Sequence, residues 1–347
     1  MNLVSLQMEK QRHLRYHLSS LICLVVLCFI SAFLSGCAGK SDNMTILFAG
    51  DLMPDRGTRD VISVHGMDFL FENVRNVFKN ADFAIANLEC VACDTTCIPV
   101  DKKYTFRANP EWLSSLKKNG ITHVTLANNH SCDFLEKGVK QTISNLNQYA
   151  IQPIGYSQNK NGESEPVLLK KGKNVVAVFS SCFLKQNCKS IGSENASGLS
   201  EKIKAYKAAH ASYIIIVCLH WGVEMNLKPT SEQVEQAHQL IQAGADLIIG
   251  HHPHVVQNIE VYRGKYIFYS LGNFIFDTNH SPGNRGILTN LTISNGGIAS
   301  INVIPFRIIK SKPFSMNEEE SEQFRKEINS ISETLELKQN DGIWKVF

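Results

Sequence analysis

The sequence predicts an α/β sandwich built as one main domain over residues 44–306. Three observations point to it. Short apolar runs alternate with amphipathic stretches through the first half of that span, adjacent strands fill the second half, and no linker is long enough to divide it. Hydrophobic residues are 44% of the 347 and charged residues 19%, which suits a chain with a real core and excludes a disordered or collagen-like one. The formal net charge is +3, and Lys10, Arg12 and Arg15 against Glu9 put two of those charges in residues 1–36. The remainder is close to neutral, which argues against an electrostatic nucleic-acid binder.

The elements follow in order. Thr45–Ala49 reads as a buried strand, Phe69–Lys79 as a helix with Phe69, Val74, Val77 and Phe78 at helical spacing, and Phe83–Leu88 as the next strand. Asn109-Pro110 opens a helix, because proline is tolerated at the first helical position, and Asn119-Gly120 closes it. Thr122–Ala127 is a strand and Lys137–Tyr149 a helix. Val167–Leu169 and Val175–Ser180 form a hairpin around Gly172-Lys173, and Tyr213–Leu219 is again a buried strand. Thr230-x-x-Gln233 is a capping box. Val234, Ala237 and Ile241 share one face of the helix it starts, and Gly244 can end that helix in the left-handed conformation. Asp246–Ile249, Val255–Tyr262, Tyr266–Ser270, Ile287–Ile293 and Ile298–Phe306 complete the strands. Residues 307–347 are an extension whose charged stretch from 315 reads as a peripheral helical appendage.

Residues 1–36 read as an export signal. Basic residues precede the uncharged run Leu21–Leu34, which is shorter than the roughly 20 residues a membrane span needs. The run ends in Leu34-Ser35-Gly36-Cys37, which resembles a bacterial lipobox and implies lipid on Cys37. Residues 37–43 then act as a tether, and the domain is lipid-anchored in the cell envelope. The alternative is an uncleaved signal anchor. Seven cysteines follow Cys37. Cys90, Cys93 and Cys97 have no partnering CxxC to complete a zinc knuckle. A local disulfide in that loop, or one between Cys182 and Cys188, is the better expectation in an oxidising compartment.

Polar residues recur just after strands: Asp51, Glu89, Asn128-Asn129-His130, His220 and His251-His252-Pro253-His254. The carboxyl ends of parallel strands form the ligand crevice of an open α/β sheet, so five such positions predict one convergent site. Carboxylate, carboxamide and imidazole together suit divalent metal, with Mn, Fe or Zn the candidates. Glu89 is placed to bridge two ions, Asp51 to hold one and Asn129 the other, with His220, His252 and His254 completing the set. His130 stays off the metal as general acid. Without metal, the same residues would bind an anionic ligand passively.

Six motifs occur in order: Gly50-Asp51-Leu52-Met53, Asn87-Leu88-Glu89, Asn128-Asn129-His130-x-x-Asp133, His220-Trp221-Gly222-x-Glu224, Gly250-His251-His252-Pro253-His254 and Tyr269-Ser270-Leu271-Gly272-Asn273-Phe274. Together they resemble the capsule-synthesis CapA family, also called poly-γ-glutamate biosynthesis proteins, over residues 44–306. That family is similar to calcineurin-like metallophosphoesterases, so the resemblance implies a four-layer α/β/β/α sandwich. It matches Asp51 to the first metal aspartate and Glu89 to the bridging carboxylate. Asn129-His130 matches the Asn-His pair, His220 the isolated histidine, and His252 with His254 the final His-x-His. The usual Asp-x-His start is here Asp51-Leu52-Met53, so one histidine is missing, and Asp55 or Glu224 are the candidates to compensate.

Around this set, Asn128, Asp133 and His251 are supporting neighbours, and His130 bonded to Asp133 as a purely structural histidine is the competing reading. Trp221 shapes a loop or touches ligand, and Asn273 is a turn former or a site residue. Arg56, Arg107 and Arg285 are candidate partners for an anionic substrate. The implied function is an exported protein of anionic surface-polymer synthesis, export or trimming, using metal-assisted hydrolysis of a phosphoester or amide bond. Its implied partner is a membrane polymer synthase. The alternative is a non-catalytic subunit that holds polymer for that synthase.

Overall fold

A computed structural model describes residues 42–157, 163–186, 188–340 and 342–346. The segments expected to form the signal, the Cys37 lipobox and most of the tether lie outside the described residues.

The strand predicted at 45–49 extends over Met44–Leu52, and all but one of its residues are buried. Burial on both faces places it centrally. On one side it pairs in parallel with Phe83–Leu88, followed by His123–Thr125 and Gln152–Ile154. On the other it pairs antiparallel with Arg285–Ser294, which pairs with Gly297–Ile309. A second sheet runs Ile259–Tyr262, Lys265–Phe268, Leu247–His251, Ile214–His220, Asn174–Cys182, Val167–Lys171. Its four inner strands are parallel and its two outer strands antiparallel.

The period-2 alternation of these strands builds the layers. Ile46, Phe48, Ile216, Ile249 and Phe268 point between the sheets into one apolar cluster. Leu47 and Ala49 point the other way, against Leu116, Val139 and Leu146 of helices Leu113–Lys118 and Leu135–Gln148. Val217 and Ile248 meet Leu199, Ile203, Ala237 and Leu240 of helices Ala196–Ala209 and Ser231–Ala243. The order helix, sheet, sheet, helix is the four-layer α/β/β/α sandwich. The helix predicted from Thr230 has its capping box with Gln233, and Gly244 ends it at φ 119°.

Two expectations are corrected. Residues 307–346 are not a peripheral appendage. Helix Glu318–Ile331 presents its acidic residues outward but sends Phe324 and Ile328, four apart, into the inter-sheet core. Strands Leu337–Asn340 and Ile343–Val346 then extend the first sheet, and Trp344 is fully buried. The disulfide joins Cys132 to Cys188, with Cα atoms 5.8 Å apart. Cys182 remains a buried thiol at a strand end, accepting from Gln186 Nε2, while Cys188 lies beyond the turn where it meets the His130 loop. Cys90, Cys93 and Cys97 are free as well.

Candidate metal centre

Two glycines let the site form. A Cβ on Gly50 would lie 1.9 Å from the Gly272 carbonyl oxygen, so only glycine lets the first strand shift register there. Asp51 then falls beside Asn87 and Asn273. A Cβ on Gly250 would lie 2.0 Å from the Tyr269 carbonyl oxygen, and the next residue, His251, pairs with His220. Beyond it, His252 and His254 take φ 97° and 57°, values that non-glycine residues rarely hold and that cluster at functional sites.

The predicted ligands from the two sheets meet. The ligating atoms of Glu89, His252 and His254 all lie within 4.8 Å of one another. His254 Nδ1 is 3.3 Å from Asp51 Oδ2, and its Nε2 is 3.7 Å from Glu89 Oε1. His220 Nε2 is 2.9 Å from Asn129 Oδ1 and 3.6 Å from Glu89 Oε1. The rings of His220 and His252 have centroids 4.8 Å apart. Glu89 therefore stands between an Asp51–His254 side and an Asn129–His220–His252 side, the position a bridging carboxylate needs.

The electrostatics suit a cation. Glu89 is 1% exposed, and neither carboxylate oxygen has a hydrogen-bond partner. Burial, followed by the nearby Asp51 charge, pushes its carboxyl well above the usual range. A buried carboxylate left this way costs several kcal/mol, and a divalent ion offsets that cost. Burial also pushes His252 down to about 4, and it pushes His220 well below its ordinary value, so both imidazoles are neutral and ready to ligate. Burial opposes charge on His254, but Glu89 and Asp51 carry it up to about 10. Asp51, despite its burial, is held low by the His251 and His254 rings, whose Nδ1 atoms lie 3.4 and 3.3 Å from its oxygens. Once an ion displaces the His254 proton, the donor set fits one or two divalent ions.

Beside it, His130 Nδ1 is 2.7 Å from Asp133 Oδ2, which leaves Nε2 for another task. Phe106 N–H also donates to that Asp133 oxygen, and the Phe106 ring packs 4.2 Å from the His130 ring. Lys102 Nζ donates to the other Asp133 oxygen and to the Asn129 carbonyl. Burial lowers the His130 pKa, and Asp133 acts against that shift.

The supporting residues divide. Asn128 donates to Asn87 Oδ1 and the Leu88 carbonyl and accepts from His130 N–H, so it fixes the loop. His251 Nδ1 is 3.4 Å from Asp51 Oδ1. Asn273 Oδ1 faces His254 Nδ1 at 2.9 Å and orients that ring, which makes it more than a turn former. Trp221 donates to the Tyr269 carbonyl and is fully buried, so it shapes the loop behind His220.

Neither candidate replaces the missing histidine. Met53, at its position, is buried in the helix-side core. Asp55 is taken up by Arg59 and by the Arg107 N–H. Glu224 is exposed and carries no bond to the cluster, although its charge reaches Glu89. Arg285 turns away to pair with Glu327 and covers Phe324, because its strand edge is overlaid by the C-terminal helix.

Sequence reasoning gave no role to Asn87, although it stands in the second motif, nor to Lys102 or to Phe276, whose ring lies 4.8 Å from that of His254. Asn87 donates to Asp51 Oδ1 and touches His220 Nδ1, and its place two residues before Glu89 on a strand was the available signal. Lys102 and Phe276 lie in loops and carry no such signal.

A four-layer sandwich whose facing strand ends gather carboxylates, a carboxamide and imidazoles is a metallophosphoesterase-like fold. The chain belongs to the family described as bacterial capsule synthesis protein PGA_cap, which matches residues 45–278. It is 31% identical over 288 residues to the capsule biosynthesis protein CapA of Bacillus anthracis, covering 79% of this chain and 70% of that protein. It is 29% identical over 321 residues to the PGA biosynthesis protein CapA of Bacillus subtilis (strain 168), covering 88% and 81%. A hypothetical protein of Thermus thermophilus shares the fold with a TM-score of 0.50 at 17% identity, covering 77% of this chain and all of that one.

Proposed function

We propose that this protein acts in the synthesis, export or trimming of an anionic surface polymer of poly-γ-glutamate type, by metal-dependent hydrolysis of a phosphoester or amide bond. The observation that carries the reading is Glu89: a fully buried carboxylate with no hydrogen-bond partner, facing imidazoles on both sides. Asp51, Glu89, Asn129, His220, His252 and His254 would hold one or two ions, with Mn, Fe or Zn suited to the mixed oxygen and imidazole donors. Bound there, such an ion would supply Lewis-acid polarisation and lower the pKa of a water. The chain's own residues do the rest. Asp133 fixes the His130 ring through Nδ1 and favours its protonated form, in which Nε2 can give a proton to the leaving group. Asn273 and Asp51 set the His254 ring, and Asn87 sets Asp51. The names of the two CapA relatives support the polymer class. Leu34-Ser35-Gly36-Cys37 supports a lipid anchor that holds the domain outside a bacterial membrane, beside a membrane polymer synthase.

A second reading, a non-catalytic polymer-holding subunit, draws on Met53, which leaves the site one histidine short of the phosphoesterase pattern. A screen of γ-glutamyl and phosphodiester oligomers against purified, metal-supplemented protein separates the two. Turnover that stops on chelation is expected. Tight polymer binding with no turnover of any oligomer would select the second reading.

A further inference from the structure

We propose that Arg56 reads an anionic group on the substrate unit next to the bond being cleaved. This rests on the reading of the site as a polymer hydrolase and names the residue that would recognise polymer charge. The Arg56 guanidinium carbon lies 5.6 Å from the centre of the Phe106 ring and 5.8 Å from that of Phe276. Phe106 packs 4.2 Å from the ring of His130, the assigned acid, and Phe276 packs 4.8 Å from the ring of His254 on the metal side. The two aromatic faces thus hold one cation at the edge of the site, between the proton donor and the ligands.

That cation has bonds to spare. Its Nε faces Asp277 Oδ2 at 3.1 Å, and among the described residues its two terminal nitrogens meet no acceptor. The side chain is 48% exposed, so the free edge of the fork is open to an incoming group. Among the other cations near these rings, Arg107 lies over the Phe134 ring, away from Phe106 and Phe276, and two more are committed. Lys102 is bonded to Asp133 and to the Asn129 carbonyl, and Arg59 to Asp55 and the Arg107 carbonyl. A guanidinium with two parallel N–H groups free matches a carboxylate or phosphate bidentately, which an ammonium cannot.

The backbone supports the assignment. Arg56 sits at φ 52°, ψ −138°, which a non-glycine residue rarely adopts, just before helix Gly57–His65. Asp277 holds this turn by accepting from the Gly57 N–H and pairing with Arg56. Strain of this kind clusters at ligand clamps, and here it aims the guanidinium at the two rings.

The test is equilibrium binding of three fluorescent hexamers to the full chain: γ-linked glutamate, its neutral γ-linked glutamine counterpart, and glycerol phosphate. Wild type should bind a charged hexamer at least about tenfold more tightly than the neutral one, the scale of one charge-assisted contact. Arg56→Gln should erase that gap and Arg56→Lys keep part of it, while Lys204→Gln, on the exposed face of a remote helix, should leave it whole. Preference for the glutamate hexamer assigns the anion to a carboxylate, and preference for glycerol phosphate assigns it to a phosphate. A gap that persists in folded Arg56→Gln, or no gap in wild type, overturns the proposal. Binding is read without turnover. If Arg56 discriminates but nothing is cleaved, the hydrolase reading fails alone; if charged and neutral oligomers are cleaved equally, only the Arg56 proposal fails.

Discussion

Replacing Glu89 by glutamine should lower stability with metal and leave it nearly unchanged without. The side chain is 1% exposed and neither oxygen is hydrogen-bonded, so the nearly isosteric amide forfeits no hydrogen bond. What it removes is a carboxyl whose ionisation burial and Asp51 oppose and His254 favours. In chelator, Glu89→Gln should therefore melt close to wild type, because the amide is no better bonded than the carboxyl it replaces and only the repulsion from Asp51 is relieved. With a divalent ion at 100 times its dissociation constant, wild type gains about 2.7 kcal/mol from linkage. At about 2.1 cal/mol/K of unfolding entropy per residue, a domain of about 300 residues shifts roughly 1.5 °C per kcal/mol, so that is a rise of about 4 °C. Glu89→Gln should show almost none of it. Calorimetric melting of both proteins with chelator and with Mn reads all four values. A chelated Glu89→Gln that melts well below chelated wild type, or one that keeps the full metal-dependent rise, would refute the reasoning.

Other consequences follow from the same geometry. His130→Ala should retain bound metal and lose roughly 10²–10⁴-fold in turnover, the contribution of a positioned acid; unchanged turnover on an established substrate would remove His130 from the chemistry. The Cys132–Cys188 disulfide closes a loop over a separation of 56 residues. The chain-entropy estimate for that loop is about 4 kcal/mol, so a Cys132→Ser/Cys188→Ser protein should show a clearly lower urea midpoint than oxidised wild type. His123 is buried and its pKa is pushed down to about 4. The unfolded chain binds this proton first as pH falls below about 6.5, so stability is full above that value. Up to about 3 kcal/mol is lost by about pH 4. His123→Gln should flatten that acid limb in urea titrations at stepped pH.

The most legible parts of the fold are those with a local cause. Thr230, Gln233 and Gly244 define their helix because cap chemistry is written within a few residues. That Asp51, Glu89, Asn129, His220, His252 and His254 come together is legible because each stands at or after an apolar strand, and parallel strands deliver their ends to one edge. What stays hidden depends on distant partners. Trp344 is a core residue because its strand reaches the first sheet, which nothing near it in sequence states. Asp55 and Arg285 carry the right charge for the site, but Arg59 and Glu327 hold them elsewhere. The Cys132–Cys188 pairing crosses between loops far apart in the chain. Lys102 reaches Asp133 from a loop with no periodic pattern.

Metal stoichiometry tests the central claim most directly. Purified protein equilibrated with Mn, Fe or Zn and dialysed should hold one or two divalent ions per chain by elemental analysis. His252→Ala should hold fewer, and Glu89→Gln should hold none or close to none. A folded wild-type protein that retains no ion above background with any of the three metals would contradict the account.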